Sequence, residues 1–321
     1  PLFLMNADLR RIFFETGRMT GAFALACLGT VAGAVVAFSL IALPDYEAGV
    51  RTADMVSRES GAVGAFIATY IGGSVNYAAL LDVTRLGEAD PAFVSAATAV
   101  DNLFSGLFLA LLAVMPGVSW IASRFVKRDH SQGDVVVEET PGKVTAASLA
   151  YSLTFALIVV ALGDVITALL SNQFGEGAGN WRYAIITVLA LIPATAFPKT
   201  MASLHGGYEI GIALSFVFFA AIAAGADVVG LVQSAPMLIL IIGILLAVHG
   251  LVVFGLGSIL RFSLPELITA SNAAILGATT APALAAAKGW KDLVTPGVLV
   301  GVLGYALGTV IATAIFQIWP G

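Results

Sequence analysis

The chain has 321 residues, 59% of them hydrophobic and only 11% charged, with a mean hydropathy of +0.97. Soluble domains carry about a quarter charged residues, so this composition excludes an ordinary soluble enzyme or a nucleic-acid binder and points to an all-α polytopic membrane protein. The net charge of −5 is dispersed, and the one cysteine, Cys27, lies in an apolar run, which excludes a disulfide framework.

The opening PLFLMNADLRR reads as the tail of a helix already in progress, not a signal peptide. Apolar runs long enough to span a bilayer at 1.5 Å rise per residue fall at roughly 18–43, 91–115, 144–170, 181–202, 206–226, 236–260 and 294–319. Pro193 and Pro198 predict a kink in the 181–202 span. Pro44 to Arg58 is short and polar and predicts an interfacial helix. Lys127 to Gly142 is a long hydrophilic connector that divides the chain into units of 1–126 and 143–321, with 127–142 as a cytoplasmic linker.

Two further apolar segments, 61–83 and 266–287, are interrupted in the middle. The first carries Gly72, Gly73, Ser74 and Asn76; the second carries Ser271, Asn272, Gly277, Thr279, Thr280 and Pro282. Opened backbone at membrane depth is tolerated only where protein or a water-filled cavity covers it. Paired interruptions in two halves are a sequence mark of a transporter's binding site. The halves also align: Ile71–Gly117 slides without gaps onto Ile275–Gly321 at an offset of 204, placing Gly73 over Gly277. Asn6–Phe13 matches Gly225–Val232 at an offset of 219, with Asp8 over Asp227. On this alignment the first repeat lacks about 77 residues at its start, which predicts a longer natural chain.

Charge tests the topology. If both interrupted segments cross fully, Lys and Arg divide 7 to 8 between the two sides. If each dips in and returns, one side collects 11 and the other keeps only Arg51, Arg58, Arg85 and Arg182. The second division obeys the positive-inside rule. It predicts an inverted-repeat secondary transporter with two discontinuous, re-entrant, glycine-rich hairpins, its linker in the cytoplasm and its C-terminus outside.

In such hairpins, helix N-termini at mid-membrane offer free N–H groups to a carboxylate. Main-chain carbonyls, with the side-chain oxygens of Ser74, Asn76, Asn272, Thr279 and Thr280, suit Na⁺. Gly72, Gly73 and Gly277 permit the turns, and Ser271 completes the polar set. No basic residue lies in either turn, so an anionic solute would rely on main-chain N–H groups. Asp101 falls ten residues into its span, about 15 Å deep. A carboxylate there must face the protein interior or a cation. Asp101, supported by Asn102, is therefore the expected cation-coupling residue, with Na⁺ placed near Asn76, Asp101 and Thr279 and favoured over H⁺. Its counterpart in the second repeat is Tyr305.

Other polar residues carry weaker expectations. His249 reads as a hydrogen-bonded packing histidine, Asp164 as a side chain reaching the interface, and Glu266 as a helix cap. Lys199, His205 and Glu209 lie at a span boundary. Three alternatives stay open: small residues that merely pack helices, a passive channel, and an intramembrane aspartyl protease built on Asp164. The channel wants a continuous polar stripe, whereas polarity here is focal. The protease lacks the glycine of its GxGD signature, where Ala161 stands.

Taken in order, NADLRRI, IGGSVNYAAL, AVDN and NAAILGATTAPALAAA resemble the domain-of-unknown-function 819 family of bacterial membrane proteins, over essentially the whole chain. That architecture is similar to the glutamate:sodium and citrate:sodium symporters. The resemblance implies a multi-pass protein of the bacterial cytoplasmic membrane, working by elevator-type alternating access as a homodimer. It further implies a small organic solute such as an amino acid, small peptide or carboxylate, a coupling ion in place of any cofactor, and no enzymatic activity.

Overall fold

In a computed structural model of the protein, the described residues are 1–46, 56–132, 143–224 and 228–320. Most of the expected interfacial helix (47–55), the later part of the linker (133–142) and Asp227 lie outside them. Among the described residues the structure is helical, with no strand. The helices are α1 (Leu9–Thr16), α2 (Arg18–Leu40), α3 (Arg58–Thr84), α4 (Leu86–Ala89), α5 (Pro91–Val114), α6 (Ser119–Ala122), α7 (Ala146–Phe174), α8 (Arg182–Ala196), α9 (Pro198–Ala202), α10 (Gly207–Ala224), α11 (Val228–Ile259), α12 (Leu264–Ile275), α13 (Thr280–Ala287) and α14 (Val294–Ile318).

Local chemistry sets these boundaries. The Asp90 side chain accepts from Phe93 N ahead of Pro91 at the start of α5. Thr145 with Ser148 and Ser263 with Glu266 form reciprocal caps that open α7 and α12. The opening residues differ from expectation: Leu2–Leu4 is a short 3-10 turn, and Asp8 starts a new helix by accepting from Arg10 N. Capping by Asp8 breaks any continuation, and Leu2, Leu4, Met5 and Ala7 are buried instead. The 181–202 span is divided at Phe197, because Pro198 bars its neighbour from helical geometry.

Among the described residues seven helices, α2, α3 counted as one, α5, α7, α10, α11 and α14, are long and apolar enough to cross a membrane; the expected span at 181–202, divided at Phe197, is not one of them. Their outer faces expose large apolar side chains, among them Leu107, Leu157, Leu169, Phe216 and Leu251. That surface suits lipid rather than water.

The helices pack as two bodies. The larger core is built from α2, α3, α5, α11, α12, α13 and α14. A smaller one joins α7, α8, α10 and the opening turn, and it meets the larger body along α14. Within the core, α2 and α11 run antiparallel, with Gly29 opposite His249 and Gly33 opposite Leu245. By contrast α5 runs parallel to α11, Phe104 facing Gly243 and Phe108 facing His249. The start of α3 runs antiparallel to α14: Ser60 donates to Phe316 O, while Gly72 sits on Gly304.

Close approach makes Gly33 a sensitive position. A β-carbon there would lie 2.4 Å from the Leu245 carbonyl oxygen, whereas one at Gly250 would meet nothing within 4 Å. Gly33→Val should therefore destabilise the protein by about 1–3 kcal/mol through overpacking. Thermal unfolding in detergent should show a lowered Tm for Gly33→Val and an unchanged or slightly raised one for Gly250→Ala.

Candidate functional site

The helix α3 is broken at Gly73, whose φ of 71° and ψ of −174° lie in a region essentially restricted to glycine. The second interruption separates α12 from α13 at Leu276–Thr279, where Gly277 takes a φ of 92°. Both expected breaks are present, and one side chain lies against both. A β-carbon on Gly73 would lie 3.9 Å from Tyr305 Cε1, and one on Gly277 would lie 3.8 Å from the Tyr305 hydroxyl. The hydroxyl also interacts with the Ala278 main chain. Tyr305 further packs on Phe3, their ring centroids 5.6 Å apart, and Phe3 on Tyr208 at 5.4 Å.

Each break is sealed by its own polar side chains. Asn76 Nδ2 donates to the Gly304 and Tyr305 carbonyls at 3.2 and 3.1 Å, closing the first break onto α14. Asn272 Nδ2 donates to Thr280 O, and Thr280 Oγ1 returns a bond to Asn272 Oδ1 at 2.8 Å, closing the second. Ser74 and Thr279 flank the turns and are exposed. Of the residues expected to meet a solute, Asn76, Ser271, Asn272 and Thr280 thus hold the breaks in shape, while Ser74 and Thr279 keep accessible hydroxyls.

A chain of buried polar groups joins the two halves. Thr30 Oγ1 donates to Tyr70 O at 3.0 Å and lies 3.0 Å from His249 Nδ1. His249 Nε2 lies 2.8 Å from Ser271 Oγ. Thr30 has one proton and gives it to Tyr70 O, so it must accept from His249 Nδ1–H. Nε2 is then the acceptor and Ser271 the donor. His249, fully buried, is a neutral, doubly bonded bridge from the first interrupted segment to the second.

Asp101 stands in contrast. It is 9% exposed, and its Oδ1 is buried without a hydrogen-bond partner, as is the Tyr70 hydroxyl. The hydroxyls of Tyr70, Thr69 and Ser105 face the carboxylate, with Tyr77 close by. These hydroxyls are placed to donate to the carboxyl group, while Oδ1 meets no partner at hydrogen-bond distance. Asn102 points elsewhere: it is exposed, one position round α5 from Asp101.

Several of the other charged and polar residues are paired. Asp164 Oδ1 accepts from Arg182 Nε at 2.6 Å, and Arg182 also lies 3.7 Å from Asp82. Asp164 is therefore engaged in an ion pair. Glu266 meets Arg18 at 3.0 Å. His130 is buried between Ser263 and Asp292, the residues just before α12 and just after α13. A cavity of about 380 Å³ lies where α3 begins and α14 ends, lined by Ser57, Ser60 and Gln317 among others, and one of about 540 Å³ lies between the end of α7 and the start of α8, lined by Phe174, Trp181 and Ile185 among others; both are away from the breaks.

Some of this was not read from the sequence. Ser105 and Thr98 sit one turn from Asp101 on α5, a spacing that signals a shared face. Tyr305 and the Thr30–His249–Ser271 chain have no comparable local signal.

A helical bundle with seven candidate membrane spans among the described residues and large apolar side chains on its outer faces defines a multi-pass membrane protein. The chain belongs to the family described as "Protein of unknown function (DUF819)", whose model matches residues 1–319. It is similar to the "Uncharacterized membrane protein YjcL" of Bacillus subtilis (strain 168), with 30% identity over 325 aligned positions, covering 98% of this chain and 78% of that protein.

The bridging role of His249 has a measurable consequence. His249→Ala leaves Ser271 unpaired and opens a hole against Phe108. It should lower stability by about 2–4 kcal/mol. Ser271→Ala, which removes one hydrogen bond, should lower it by about 1 kcal/mol. Thermal unfolding of the two variants in the same detergent reads the order directly.

Proposed function

We propose that this protein is a cation-coupled secondary transporter of a small organic solute such as an amino acid, small peptide or carboxylate, and a carrier rather than an enzyme. The observation that carries the reading is the approach of both helix breaks to Tyr305. Broken helices cost a membrane protein stability unless protein or a water-filled cavity covers the freed main-chain groups, and paired breaks mark the binding sites of transporters. Two of them on either side of one residue enclose a site with exposed hydroxyls from Ser74 and Thr279.

The interrupted segments are read as re-entrant hairpins in an inverted repeat. Contacts within α3 support this. A through-going helix would hold Gly61 and Thr84 about 35 Å apart, yet Gly61 faces Thr84 and Gly64 faces Leu80. In the second segment, His130 reaches both Ser263 and Asp292. Helix directions support it too. With α5, α7, α8 and α10 crossing, a through-going first segment would set α2 and α11 parallel; a returning one sets them antiparallel, as their contacts run. The repeat itself draws support from matching backbone features at an offset of 204: Gly73 with Gly277, and Arg85 with Gly289, all at positive φ. At an offset of 219, Gly17 between α1 and α2 pairs with Pro236 inside α11.

The packing of the helices as two bodies supports an elevator mechanism. Both breaks belong to the larger, and Tyr305 lies where it meets the smaller. The smaller body, with its exposed α7 and α10 faces, is the proposed fixed panel and homodimer surface, and the bacterial cytoplasmic membrane is the proposed location. Na⁺ is the favoured coupling ion. The units 1–126 and 143–321 are the proposed repeats.

Cysteine labelling tests the topology that this carrier needs. In a Cys27→Ser background, Glu88→Cys should react only from outside and Lys288→Cys only from inside. Labelling of both from one side would make the second interrupted segment a through-going helix. Transport is tested separately in proteoliposomes: a Na⁺ gradient should drive uptake from a pool of amino acids, small peptides and carboxylates. Gly73→Ala and Gly277→Ala, which force a side chain into positive φ, should reduce that uptake at least about tenfold. Equal uptake without any cation gradient would make the protein a channel.

A further inference from the structure

We propose that Asp101, with the hydroxyls of Thr69, Tyr70 and Ser105, forms a binding site for a small hard monovalent cation, Na⁺ or Li⁺, that ties the first interrupted segment to α5. The inference deepens the carrier reading and rests on it for what the ion does.

The first observation is an unmet demand. Asp101 is more than nine-tenths buried and its Oδ1 has no hydrogen-bond partner. A buried carboxylate oxygen in that condition is strongly destabilising unless something positive faces it. The Tyr70 hydroxyl is likewise buried and unpartnered. The Tyr70 hydroxyl and the carboxylate face each other without a closed hydrogen bond, and with the Thr69 and Ser105 hydroxyls beside them they leave a cluster of oxygens that an ion can share.

The second observation is the donor set. Thr69, Tyr70 and Ser105 supply only oxygen, the ligand type that hard cations take. Thr69 and Tyr70 come from α3 just before the Gly73 break, while Asp101 and Ser105 lie one turn apart on α5. Tyr77, just after the break, approaches the same carboxylate and receives a bond from Thr98 Oγ1 at 3.3 Å. The two sides of the break and α5 therefore converge on one carboxylate.

The third is charge. Among the described residues no group of three or more His, Cys, Asp or Glu side chains is placed to hold a metal ion. One carboxylate neutralises one monovalent cation; a divalent ion would leave uncompensated charge buried in a low-dielectric interior. The site differs from the sequence expectation in its members. Asn102 points away from Asp101, and the ion sits at α5 rather than at the Thr279 turn.

The ion would do mechanical work here. With it bound, Tyr70 and Thr69 are drawn to α5 and the approach to Gly73 is fixed. Without it, the Asp101 charge pulls water toward the break.

The test uses the whole purified chain, with thermal unfolding followed against NaCl, LiCl, KCl and choline chloride at constant ionic strength. Tm should rise with Na⁺ and Li⁺ and stay flat with K⁺ and choline. Asp101→Asn should abolish the rise while keeping a cooperative transition. Tyr70→Phe and Ser105→Ala each remove one ligand and should raise the Na⁺ midpoint about fivefold to tenfold; they serve as the readout if Asp101→Asn does not fold. A Na⁺ shift that survives Asp101→Asn, unchanged midpoints in Tyr70→Phe and Ser105→Ala, or equal stabilisation by K⁺ or choline would each overturn the site. The two proposals fail separately. Na⁺-driven uptake that persists in Asp101→Asn removes this site and keeps the carrier; Asp101-dependent Na⁺ binding without uptake of any solute keeps the site and removes the carrier.

Discussion

A broken helix inside a bilayer leaves main-chain N–H and C=O groups that no water can satisfy, and this structure is arranged around meeting that demand twice. At the first break the answer is α14. Gly304 lets the two backbones touch near Ile71 and Gly72, and Asn76 reaches across to bind two of its carbonyls. At the second the answer is local, a two-way exchange between Asn272 and Thr280. The side chains that looked most like solute ligands are therefore the ones holding the turns closed. What remains accessible is a small set: the hydroxyls of Ser74 and Thr279, and the edge of Tyr305.

The two buried ionisable groups near these breaks show how differently the same environment can be used. His249 presents two nitrogens and finds a partner for each, in Thr30 and Ser271. Neutral and fully bonded, it needs nothing more from its surroundings. Asp101 sits one helix away, near hydroxyls that do not reach its Oδ1. Had evolution wanted only a packed interior, Asn or a small apolar residue would fill that position without the charge. Retaining a lone carboxylate there makes sense when a cation completes it.

The fold was legible where physics acts locally. Apolar runs gave six of the seven expected spans to within a few residues, because about 20 residues must be apolar to cross lipid whatever they pack against, while the seventh, 181–202, is divided at Phe197. Gly73 and Gly277 announced the breaks, since few other residues reach those angles. Where contacts between distant segments decide, the sequence was mute. Asn102 beside Asp101 looked like a supporting ligand, but adjacent helix positions diverge by about 100° and only one can face inward. The opening residues read as a continuing helix because they are apolar, and the Asp8 cap that interrupts them acts through a single hydrogen bond. Tyr305, aligned with Asp101 by the repeat, became important only once α14 was seen to pass between the breaks.

Tyr70 links these threads. Its hydroxyl faces Asp101, while its carbonyl accepts the bond from Thr30 that leads through His249 to Ser271, one residue before the asparagine that closes the second break. Proximity alone does not make such a path a transmitter; two discrete arrangements of some element are required. Here Thr30 gives its single proton to Tyr70 O and accepts from His249 Nδ1–H, so a shift of Tyr70 strips that proton of its acceptor while the His249 bond can persist. The path therefore fixes the backbone before the first break and Ser271 beside the second with one set of buried bonds.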